Sequence, residues 1–166
     1  MDRQEALDEL AHIGISGEKV YLIDLIPLIE MILADGKIHE GEIAVLHLWV
    51  QRQVRHINQL AGYKIITVED AMRFADRFLT PGINPDLLVK IRQCIGPLRL
   101  ANQEGDYSER LLKRILSGCL EIAAASVTNY PYGIGERINR KEKTLFVEIL
   151  KTFHGYAPNI MSMEIE

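Results

Sequence analysis

Apolar residues in this chain recur at helical spacing almost from end to end, and strand-like alternation is nearly absent. A chain patterned this way buries its apolar stripes helix against helix. The spacing predicts a first helix over 3–13, with Leu7, Leu10 and Ala11 on one face and Gly14 as its stop. A second, over 18–34, is apolar nearly all round and carries Pro27 inside it, where a kink is expected. It is the natural central, buried helix. A third, over 39–61, ends at Gly62 and shows a stripe of Ile43, Leu46, Trp49 or Val50, Val54, Ile57 and Leu60. Thr67-Val68-Glu69-Asp70 resembles a capping box and opens a fourth, to about residue 79. Asn84-Pro85 opens a fifth that runs to about residue 100, with Gly96-Pro97 kinking or splitting it. A sixth spans 108–126 and a seventh 139–154. The expected class is all-α, a bundle of about seven helices.

The 166 residues suit one domain, over 1–158, with 159–166 as a frayed tail. Nineteen basic against 23 acidic side chains give a net charge of −4, which excludes a nucleic-acid binder held by bulk positive charge. Cys94 and Cys119 lie 25 residues apart without a CxxC, so neither a disulfide framework nor a cysteine zinc site is expected. The most apolar stretch, 20–34, contains Asp24, Pro27 and Glu30 and is too short and polar to span a bilayer. No targeting segment is visible at the N-terminus. The expectation is a cytoplasmic protein, with peripheral contact at the inner membrane face left open.

A degenerate duplication runs through the chain. Leu28-Ile29-Glu30-Met31-Ile32 reads like Cys119-Leu120-Glu121-Ile122-Ala123, and Gly36-Lys37-Ile38-His39-Glu40-Gly41-Glu42 like Glu136-Arg137-Ile138-Asn139-Arg140-Lys141-Glu142. The copies cover about 18–62 and 108–154, each a helix, a loop and a helix, and the second has nine extra residues in its loop. Two such hairpins can pack about a pseudo-two-fold axis.

Ala34-Asp35-Gly36-Lys37-Ile38-His39-Glu40-Gly41-Glu42, after an apolar helix and before an amphipathic one, resembles the A-D-G-x-I-x-x-x-E signature of the TerB-like tellurite-resistance proteins. The resemblance extends over about 18–153. It implies a seven-helix bundle linked to tellurite and oxidative-stress resistance. It also implies a metal-responsive partner of membrane and stress proteins, not an enzyme. Metal binding is carried onto Asp35 and Glu42 by the same resemblance, while His39 stands where the family often has an acid.

The residues themselves make Asp35, His39, Glu40 and Glu42 an acidic knot around the Gly36 turn. Oxygen ligands suit Ca²⁺ or Mn²⁺, and His39 would favour Zn²⁺ or another transition metal. The competing reading is a capping box, since His39 to Glu42 has N-cap to N3 spacing and Asn139 to Glu142 repeats it. For Glu142 capping is favoured, because Ser126 replaces the aspartate and Arg137, Arg140, Lys141 and Lys143 crowd the turn. An EF-hand is excluded, because Leu46 stands where the bidentate glutamate belongs. Glu30 and Glu121 occupy matching places inside the two apolar helices. They make a weaker metal pair for a carboxylate-bundle metalloenzyme, although pointing outward is the commoner fate of such residues.

No nucleophile elbow, zincin motif, P-loop or dinucleotide fingerprint is present. Cys94 and Cys119, among apolar neighbours, read as inert core thiols. The basic knot of Arg137, Arg140, Lys141 and Lys143 lies beside Tyr130 and Tyr132 at a helix start, a surface suited to an anionic partner. The expected function is therefore a non-enzymatic stress protein that binds a divalent metal at the acidic turn and docks onto a protein partner. A metal-free helical scaffold and the metalloenzyme are the alternatives, with oligomerisation open.

Overall fold

The computed structural model describes residues 1–125 and 140–156. Within them the fold is all-helical, with seven α-helices and no strand. They are α1 (Arg3–Ile13), α2 (Ile26–Leu33), α3 (Glu40–Ala61), α4 (Val68–Phe78), α5 (Pro85–Ile95), α6 (Tyr107–Ala125) and α7 (Arg140–Thr152). The expected tail, 159–166, lies outside the described residues.

Local chemistry sets most of the boundaries. The Asp2 carboxylate accepts from the Glu5 N–H at 2.8 Å to open α1, and Gly14 closes it in the left-handed conformation at φ 86°. Thr67 Oγ1 accepts from the Asp70 N–H at 3.0 Å, and Asn84 Oδ1 from the Asp86 N–H at 3.0 Å, opening α4 and α5. On α1 the buried positions are Ala6 and Leu10 rather than Ala11. On α3 the buried stripe ends at Ile57, and Leu60, in the last turn, is exposed.

The largest departure concerns the expected second helix. It is not one kinked helix. Gly17–Leu25 forms a 3-10 stretch, and α2 begins only at Ile26, so Pro27 falls in a first turn. There its missing N–H breaks no ladder bond. The fifth helix is likewise split: α5 stops at Ile95 and Gly96–Leu100 continues as a π-helical turn containing Pro97.

α2 is buried along nearly its whole length and forms the centre of the core, as expected. It packs on α6 and α7, and α3 packs on α6. Exchanging α2 with α6 and α3 with α7 maps these three contacts onto one another, whereas the α2–α3 contact has no equally extensive α6–α7 counterpart among the described residues. α5 lies against α2 and has no counterpart in that exchange.

Candidate functional site

The acidic turn between α2 and α3 is assembled by its own short-range bonds. Asp35 Oδ1 accepts from the Lys37 N–H at 3.0 Å, and Gly36 takes φ 79°, which permits the reversal. Asp35 Oδ2 lies 3.3 Å from His39 Nε2, across one helical step outside the helix. His39 is the N-cap of α3, and Glu42 Oε1 accepts its backbone N–H at 3.2 Å. Glu42 therefore has the capping role. Glu40, at the first position of α3, is exposed.

Glu42 is nevertheless unlike an ordinary cap. It is 1% exposed, as is Glu142 in the first turn of α7. Burial pushes the Glu42 carboxyl up to about 7. The His39 backbone N–H and ring oppose this, while the charges of Asp35 and Glu142 add to it. The starts of α3 and α7 thus bring two dry carboxylates, one from each copy, within electrostatic reach of each other. Among the described residues, no group of three or more histidine, cysteine, aspartate or glutamate side chains is arranged to hold a metal ion.

Glu30 and Glu121 have diverged. Glu30 does not point outward: it is buried, and its Oε2 accepts from Arg92 Nη1 at 2.5 Å. Arg92 Nε also donates to Thr152 Oγ1 at 3.0 Å, tying α2, α5 and α7 together. Glu121 is exposed and accepts from Trp49 Nε1 at 3.1 Å. The two carboxylates thus have different environments and different partners.

A second buried polar group escaped the sequence reading. Asp24 accepts from Arg99 Nε at 3.2 Å and from Arg99 Nη2 at 3.0 Å, and also from Gln53 Nε2 at 3.0 Å. Arg114 donates to Gln53 Oε1 at 3.0 Å, and the Arg99 guanidinium lies 4.8 Å from the centre of the Tyr21 ring. A usable signal was Arg99 itself, a charge set between Leu98 and Leu100 in an apolar run.

On α7, Arg140, Lys141 and Lys143 are exposed. Arg140, Lys143, Thr144, Val147 and Lys151 follow one helical stripe and line a shallow depression with Glu148. Val147 is 41% exposed. Arg137, Tyr130 and Tyr132 lie outside the described residues. Cys94 and Cys119 are both buried, and desolvation raises both thiols, Cys94 to about 11, far from an activated nucleophile.

Among the described residues no helix is long and apolar enough to cross a membrane. Compared with known family models, curated proteins and solved structures, the chain matches none.

Proposed function

We propose that this chain is a non-enzymatic docking protein of the tellurite-resistance and stress type, which holds an acidic segment of a protein partner on the basic face of α7. The observation that carries the reading is the exposed stripe of Arg140, Lys143 and Lys151 around Val147. The cations supply long-range attraction, and Val147 gives the contact a dry centre. A membrane surface fits less well, because interfacial helices need a broad apolar face and this one offers Val147 alone. The tellurite and stress class rests on the resemblance of residues 34–42.

Titration of a fluorescent Glu-rich peptide into the protein tests it. Saturable binding is expected that weakens with salt and is lost in the triple variant Arg140→Glu, Lys143→Glu, Lys151→Glu. No saturable binding at low ionic strength, equal binding by the variant, or binding only to anionic vesicles would reject it.

One observation favours a second reading, a divalent cation at the acidic turn. The dry carboxylates of Glu42 and Glu142 repel each other, and Asp35 adds to the same field. A cation there would relieve that repulsion, with Asp35 and His39 as the more accessible ligands. Calorimetric titration with Ca²⁺, Mn²⁺ and Zn²⁺ is the test. Micromolar binding lost in Asp35→Ala plus Glu42→Ala supports it, and the absence of binding heat removes it.

A further inference from the structure

The space between α2, the first half of α5 and α7 contains a cavity of about 250 Å³. Its walls are mainly apolar, with Leu33, Ile83, Leu88, Val89 and Leu145 among them. Glu30 also lines it. Only one oxygen of that carboxylate is committed, Oε2 to Arg92. The other, Oε1, has no hydrogen-bond partner among the described residues, although the residue is only 6% exposed.

A buried carboxylate oxygen without a donor is costly, and native interiors rarely tolerate one. The site therefore sets a single unpaired acceptor, itself almost wholly buried, just behind the wall of a mainly apolar cavity, close to the usual pattern of a small-molecule pocket. Charge narrows the ligand class. Glu30 is offset by Arg92, and the two remaining charged lining residues, Lys141 and Glu148, are of opposite sign. A ligand with a net charge would thus find no unmatched counter-charge. Size narrows it further. A cavity of about 150 Å³ holds benzene, so this one accommodates a ring with a short chain.

We propose that this cavity binds a small neutral alcohol or phenol. The apolar body rests against Leu33, Leu88, Val89 and Leu145, and the hydroxyl donates to Glu30 Oε1, which a small rotation of the carboxylate turns toward the cavity. The site is separate from the exposed stripe of α7, so it stands or falls independently of the docking role.

The test is a titration of the ¹⁵N-labelled full chain, followed by amide shifts, with 4-ethylphenol and with ethylbenzene. The two share a body, and only the first has a donor. Saturable shifts are expected at Leu33, Leu88, Val89 and Leu145 at pH 8, above the value of about 7 to which burial raises Glu30, with 4-ethylphenol bound roughly tenfold or more tightly than ethylbenzene, as a hydrogen bond to a charged acceptor implies. Val89→Trp should fill the cavity and abolish the shifts while the helical circular-dichroism spectrum is kept. Truncating Glu30 would strand Arg92, so it is not the variant of choice. No saturable shift overturns the proposal, as when water alone satisfies Oε1. Equal affinity for the two probes, or shifts confined to other surfaces, also overturns it. If Val89→Trp loses its fold, the comparison of probes on the natural chain decides.

Discussion

Glu42 holds the His39 N–H with a carboxylate that burial would rather keep protonated. Its acid form is favoured up to about pH 7 in the folded chain, against an ordinary 4.5. Between those values the folded state binds more protons than the unfolded one. The associated stability is complete below about 4.5 and is lost as pH rises through about 7. The slope from one such group is at most about 1.4 kcal/mol per pH unit. Glu42→Gln keeps an acceptor for the cap and removes the ionisation. Urea unfolding at several pH values between 5 and 7.5 (roughly the window of a linkage of this kind) should show a shallower decline in the variant. Glu30, raised by burial against the pull of Arg92 and with Glu148 adding, keeps some slope in both proteins. An unchanged slope would mean that Glu42 does not titrate in that window.

At the scale of elements, the irregular pieces are held by side chains rather than by ladder bonds. Asp24 belongs to the 3-10 stretch and Arg99 to the π turn, and their buried ion pair joins the two. Arg99→Met should cost about 3–5 kcal/mol in chemical denaturation, because it leaves the Asp24 charge buried with Gln53 as its donor and the Arg114 charge only beyond Gln53. The α2–α6 contact is held differently, by the absence of a side chain. A Cβ on Gly118 would come within 2.8 Å of Leu28 Cδ2, and Leu28 is buried. Gly118→Ala should therefore destabilise by about 1–3 kcal/mol from overpacking, offset by about 1 kcal/mol of helix preference. Combined with Leu28→Ala, the loss should be smaller than the sum of the two single losses. Helix starts and stops such as Asp2, Gly14, Thr67 and Asn84 were legible because their chemistry is local. The split at Pro27 was not, since the same apolar run suits one helix or two. The partners of Glu30 and Asp24 lie 62 and 75 residues away, and no local pattern encodes such pairings.

For the whole molecule, the likeness between residues 28–42 and 119–142 predicts a packing that survives exchange of its copies; the α2–α6, α2–α7 and α3–α6 contacts are compatible with that exchange, and the α2–α3 contact, without an equal between α6 and α7 among the described residues, is not. What broke the symmetry was less visible. α5 covers α2 and brings Arg92 to Glu30, while the matching Glu121 stays in the open with Trp49. Asp35, His39 and Glu42 lie together around the turn, but the burial of Glu42 is not legible in the spacing within one turn. Both cysteines lie inside this single core. Their modification by a thiol reagent at pH 8, about one unit above neutrality, therefore requires opening of the structure. The two thiols should react at one common slow rate that accelerates with urea in step with loss of helix. Fast labelling of either one would reveal a local opening near it.

Trp49 is the only tryptophan of the chain, and its indole N–H reaches from α3 of the first copy to Glu121 on α6 of the second. The natural fluorophore is thus mounted across the joint between the duplicated halves. Its emission responds to the parting of α3 from α6, besides the turn of α3 that sets Arg52 over its ring. Followed beside far-ultraviolet circular dichroism, that one optical signal distinguishes a molecule that melts all at once from one that first parts along its seam.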